Sequence, residues 1–204
     1  ERSRGLGDVY KRQIWNRRIL YNSQYNEAYR PNVPSALIEL LSHQNYLDMK
    51  FALDPCFRFD ASRAFYKAIL RFISTQYQYK YVVQPLPVSH FQAIFSGERK
   101  VTLKWQPTVD PLEKTAIPEK YIVYTRKDDN GFDNGVLVNN SQATIKNIKP
   151  NVIYSFKITA VNKGGESFPS EILSVCWMDN EKEPVLIVNG FDRVSAPETI
   201  ELDK

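Results

Sequence analysis

Beyond Pro87 the chain is cut into short runs of alternating character, and this grammar limits the fold more than any other feature. The runs stand at Val101–Trp105, Lys120–Arg126, Gln142–Ile145 and Tyr154–Asn162. Turn signals separate them, including Asp129-Asn130-Gly131 and Asn134-Gly135, residue types that tolerate the positive φ of tight hairpins. Alternation with a period of two places one face of each strand in a core and the other in solvent. About seven such strands with a buried tryptophan, in a stretch of roughly ninety residues, predict a β-sandwich.

The sandwich leaves much of the chain unused. The 204 residues have room for one large domain or two small ones, and 43% hydrophobic with 25% charged residues is a globular balance. From Ile14 to about Lys80 the pattern is mixed α and β. Ala36-Leu37-Ile38-Glu39-Leu40-Leu41 is apolar on both faces apart from one carboxylate, as suits an interior strand of a parallel sheet. Ser42 is placed to cap a short helix through Met49, and Pro55 to end that region. A second helix, capped by Asp60 or Ser62, carries Phe65, Ile69, Phe72 and Ile73 on one face and Arg63, Lys67 and Arg71 on the other. Tyr81 to Pro87 is extended and proline-punctuated, a domain boundary. The expected fold class is therefore multidomain, α/β followed by all-β.

Charge and cysteine content exclude several functions. The net charge is +4, and Arg2, Arg4, Lys11 and Arg12 against Glu1 and Asp8 supply half of it. Residues 1–13 resemble adapter-derived sequence at the ends of unrelated translated fragments and are set apart as non-native. Arg17-Arg18 with Tyr21, Tyr25 and Tyr29 interleaves basic and aromatic side chains, but no nucleic-acid fold signature accompanies them, and no nucleic-acid partner is expected. No run approaches the ~20 apolar residues of a membrane span. Cys56 and Cys176 fall in separate regions and are expected to be small buried hydrophobes, not a disulfide framework. Tyr77, Tyr79 and Tyr81 alternate, fit either for an aromatic platform or for a packed linker. Residues 179–204 open with acidic residues and then give Pro184-Val185-Leu186-Ile187-Val188-Asn189-Gly190, the expected first strand of a further, truncated domain.

Pro87-Val88, Val101-Thr102-Leu103-Lys104-Trp105, Pro118-Glu119-Lys120-Tyr121-Ile122-Val123-Tyr124 and the run Tyr154 to Ser167 resemble a fibronectin type III domain over residues 84–178. That likeness implies Trp105 and Tyr121 facing inward from opposed sheets, and Tyr154 bonding back to the chain near Lys149 to Asn151. Gly164-Gly165 would make the turn after the penultimate strand.

A second likeness concerns residues 14–80. Val33-Pro34-Ser35-Ala36-Leu37-Ile38-Glu39, followed by Ser42, Asn45, Asp48 and the helix from Ser62 to Ile73, resembles the C-terminal part of zinc-dependent N-acetylmuramoyl-L-alanine amidases. The resemblance implies a partial α/β amidase sheet with closing helices. It makes Glu39 the catalytic base for a zinc-activated water that cleaves the amide between muramic acid and L-alanine in peptidoglycan. The zinc ligands of that family, two histidines and a glutamate, fall outside this chain, so the chain alone is expected to be inactive. Of the two histidines here, His43 suits loop hydrogen bonding or cleft lining more than metal ligation, and His90 a structural or surface place. The bland alternative for Glu39 is an acid paired with Arg30 or Arg63. The resemblance implies an extracytoplasmic location, in the periplasm, envelope or medium. The competing function is a non-enzymatic envelope binding or spacer protein built on the sandwich.

Overall fold

The computed structural model describes residues 25–179 and 185–188. Expectations for residues 1–13, for Arg17-Arg18 and Tyr21, and for most of 179–204 lie outside the described residues. The chain divides into two compact units, one spanning Lys67–Ile187 and the other formed by the residues on either side of it.

The N-terminal unit holds a short helix α1, Asn26–Tyr29, then α2, Tyr46–Leu53, and the start of α3, Pro55–Gln76. The apolar run Ala36–Leu41 does not join a sheet. It has no regular secondary structure, no described strand pairs with it, and Leu37, Ile38 and Leu40 are each about half exposed. A strand's amides and carbonyls need a neighbouring strand, so among the described residues the expected parallel sheet does not form. The cap of α2 is Asn45, whose side chain accepts from Leu47 N at 3.0 Å. Ser42 is instead engaged upstream, with its hydroxyl taking Gln44 N at 3.3 Å. Pro55 closes the region of α2, which stops at Leu53, and at the same time opens α3. Asp54 accepts from Cys56 N at 2.9 Å, and proline at the first helical position gives up an N–H that would have no helical partner.

The other unit is the sandwich. One sheet has the order β1-β2-β5, formed by Ser89–Gly97, Lys100–Gln106 and Gln142–Lys146. The other places β4 (Val136–Val138) beside β3 (Lys120–Lys127), then β6 (Ile153–Asn162), which pairs with both β7 (Gly165–Glu166) and β8 (Leu173–Cys176). All these ladders are antiparallel. The four expected strands are present, each within one residue of its expected ends.

Alternation fills the core from both sheets. Val101, Leu103 and Trp105 face Tyr121, Val123, Tyr154, Phe156, Ile158 and Ala160, all buried. Trp105 and Tyr121 meet edge to face at 5.4 Å between centroids, the geometry that aligns ring edge with ring face. The Tyr154 hydroxyl accepts from Lys149 N at 3.2 Å, pinning the turn before β6 as expected. Cys56 is exposed and Cys176 half-buried, so neither is the fully buried small hydrophobe expected from its rarity.

After β6 the chain turns at Gly164-Gly165. Gly165 has φ +128°, and a Cβ on Gly164 would collide with the Val82 carbonyl oxygen, so the two glycines serve different needs. Past the turn, Ser167 and Ser170 run beside β6. Their amides donate to the Ala160 and Ile158 carbonyls at 2.8 Å, while their hydroxyls accept from the amides of the same two residues at 2.9 and 3.0 Å. Serine hydroxyls thus replace main-chain carbonyls along this edge.

Core truncation and the glycine clash should be separable by urea unfolding. Phe156→Ala, which empties a fully buried site, should cost about 3–5 kcal/mol. Gly164→Ala should cost about 1–3 kcal/mol, because its neighbour is backbone and cannot step aside. A neutral Gly164→Ala would show that the Val82 segment is not fixed there.

Candidate functional site

Glu39 and His43, singled out by sequence, lie in the N-terminal unit. Glu39 is exposed on the unpaired segment before α2, and no ion pair with Arg30 or Arg63 holds it. The loop after it is tightly made. Ser42 N donates to the Asp48 carboxylate at 3.0 Å, and Asp48 is completely buried. With Asn45 capping α2, this fixes the chain between the glutamate and the helix. His43 sits exposed in that turn, and His90 is exposed beside an irregularity in β1. Among the described residues no three His, Cys, Asp or Glu side chains converge as metal ligands.

The sandwich unit contains a polar cluster that the sequence did not announce. At the end of β6, Asn162 is buried and its amide nitrogen donates to the carbonyls of Val83 at 2.9 Å, Thr115 at 3.0 Å and Ile117 at 3.3 Å. Its oxygen accepts from Gly164 N at 2.7 Å. Thr115 then receives Val83 N on its hydroxyl at 3.0 Å, and donates that hydroxyl to Glu113 at 2.8 Å. Glu113 also accepts the Tyr81 hydroxyl at 2.9 Å. The Tyr81 ring lies under the Arg71 guanidinium, 5.0 Å from its centroid. One turn back on α3, Lys67 pairs with Asp110 at 3.2 Å, both side chains largely buried.

The cluster attaches the last turns of α3 to the sandwich. The polar face of the helix makes this attachment, while Ile69 and Phe72, expected to pack in a core, are exposed. Tyr81 is the packed member of the alternating tyrosines; Tyr77 and Tyr79 stay exposed.

The sandwich has known counterparts. Residues 86–175 match the fibronectin type III domain family. Residues 86–175 are a fibronectin type III domain. Over 97 residues, 45% of this chain, the sequence is 35% identical to the cell adhesion molecule Dscam2 of Drosophila melanogaster; the match spans 4% of that protein's length. Among solved structures, the twitchin kinase region from C. elegans is 22% identical with a TM-score of 0.43, covering 50% of this chain and 18% of that one. Titin kinase with its flanking domains is 23% identical with a TM-score of 0.41, covering 47% and 18%.

The fibronectin type III domain carries its charged cluster at one end. Burial and the hydrogen bond to Glu113 push the Tyr81 phenol above its ordinary range, with Arg71 pulling the other way. Burial alone would raise Glu113, but the Thr115 hydroxyl and amide, the Tyr81 hydroxyl and the charge of Lys67 outweigh it and hold the carboxyl below its usual range. A carboxylate favoured in the folded state stabilises above its unfolded pKa, and that contribution is lost as pH falls through the folded value. The stability gap between the native chain and Glu113→Gln should therefore be full at pH 7 and shrink below the ordinary value of 4.5. Thermal unfolding across pH 3–7 checks this, and a gap that widens on acidification would contradict it.

Proposed function

We infer that the fibronectin type III domain serves as a spacer and contact module of an extracytoplasmic protein, fixed to the helix that leads into it. The observation that carries this is the closed polar cluster from Lys67 and Arg71 through Tyr81, Glu113 and Thr115 to Asn162. A flexible tether needs no such cluster, whereas a spacer that sets direction does. Likeness to a cell adhesion molecule over 97 residues supports a contact role. Among the described residues no helix is long and apolar enough to cross a membrane. Spin labels on Thr75 and Gln142, with both native cysteines replaced, should report one narrow distance distribution. Tyr81→Phe with Glu113→Gln should broaden it. A broad distribution in the parent chain would remove the spacer reading.

A second reading is favoured by the segment around Glu39. An exposed glutamate on an apolar run, followed at once by the Asp48-clamped loop and two helices, supports residues 14–80 as the last part of an N-acetylmuramoyl-L-alanine amidase domain. On this reading Glu39 is the general base, peptidoglycan the substrate and zinc the metal, held by residues outside this chain. A glutamate without that charge has no means of stabilising the developing oxyanion. The purified chain should hold no stoichiometric zinc and release no muropeptide from sacculi. Joined to a whole catalytic domain, Glu39→Gln should keep zinc and lose turnover. Full activity in that variant would take Glu39 out of the mechanism.

A further inference from the structure

The outer face of the five-stranded sheet carries an arrangement that neither reading uses. Strand register sets Tyr124 opposite Lys157 and Arg126 opposite Ser155. Tyr121 and Val123 on β3, and Phe156 and Ile158 on β6, fill the core, so their alternating neighbours lie on the other face. Phe132, from the β3–β4 loop, lies over them half-buried. The Lys157 ammonium is 4.5 Å from the Phe132 centroid and 5.0 Å from that of Tyr124, and the Arg126 guanidinium is 5.1 Å from Phe132.

Two cations therefore share one ring, within about 10 Å of each other, which is about one screening length at 0.1 M salt. Among the described residues neither forms an ion pair. The guanidinium makes one long bond, to Ser155 at 3.4 Å, and its Nε is buried without a partner. The nearby Glu166 carboxylate is held by the Tyr124 and Thr159 hydroxyls at 2.6 and 2.7 Å. Ring faces stabilise cations only partly, so a carboxylate arriving here would gain from both charges at once.

The same face continues into apolar residues. Ile122 opposes Leu137, and Leu137 is 54% exposed on the edge strand. Val161, next to buried Ala160 on β6, extends the row. A ligand that covers both halves must present acidic and aliphatic side chains together, which a polypeptide does and an acidic glycan does not.

We propose that this face, built from Arg126, Lys157, Phe132, Ile122 and Leu137, docks an acidic, leucine-rich polypeptide segment of a partner protein. It rests on the contact role inferred above and names its partner's chemistry, while standing or falling separately from the spacer role. The probe is a peptide of alternating glutamate and leucine, titrated against the full chain by fluorescence anisotropy. Its lysine–leucine counterpart and polygalacturonate are the controls. The glutamate–leucine peptide should bind, weaken as salt rises, and lose roughly fivefold in affinity, about 1 kcal/mol, for each of Arg126→Gln, Lys157→Gln and Leu137→Ser. Lys157→Arg should restore binding, and thermal unfolding shows that each variant keeps the fold. Binding by polygalacturonate that ignores Leu137→Ser would assign the face to acidic glycans and overturn the proposal. Equal binding of the lysine–leucine peptide, unchanged affinity in the Arg126→Gln, Lys157→Gln double variant, or no binding of the probe would overturn it too.

Discussion

One side-chain amide at the end of β6 bonds to three carbonyls that lie far from it in sequence. Asn162 takes the carbonyls of Val83, Thr115 and Ile117, partners 79, 47 and 45 positions away in sequence. Each of those carbonyls would otherwise be buried or part-buried without a strand to satisfy it, at a cost of about 1–3 kcal/mol apiece. Because the amide is itself buried, it too depends on all four of its bonds. The incoming chain, the long loop between β2 and β3 and the glycine turn are thus fixed together, and Glu113, Tyr81 and the tail of α3 build outward from that point.

This explains which parts of the fold were legible in advance. The strands of the sandwich were, because alternation over five to ten residues is a local pattern with one low-energy solution once turns punctuate it. The Trp105–Tyr121 contact and the Tyr154 corner were legible from the family likeness and follow from inward-facing positions on those strands. Asn162 was not. It ends a largely apolar strand just before two glycines, and a polar residue in that place was the available signal, but its partners are set only by the closed tertiary structure.

The N-terminal region was less legible for a different reason. An apolar run such as Ala36–Leu41 suits a parallel strand only if other strands lie beside it, and the described residues supply none. Local chemistry still decided details there. Asp54 and Pro55 together start α3, and the Asp48 carboxylate, taken up by Ser42 N, moves the cap of α2 to Asn45. The helix face that looked apolar in projection was outcompeted by Lys67 and Arg71, whose partners Asp110 and Tyr81 come from beyond the helix.

The serine edge beside β6 bears on how such a module behaves when many are strung along one chain or crowded on a surface. Tethered neighbours meet at effective concentrations of order millimolar, where an open strand edge invites exchange of strands between modules. Here the ladder positions next to Ile158 and Ala160 are already filled by Ser170 and Ser167 through both amide and hydroxyl, with Pro169 between them offering no donor. A neighbour's strand would have to displace paired bonds on both sides of each serine to enter. That stretch of β6 is thereby closed to strand exchange even where neighbouring modules are crowded.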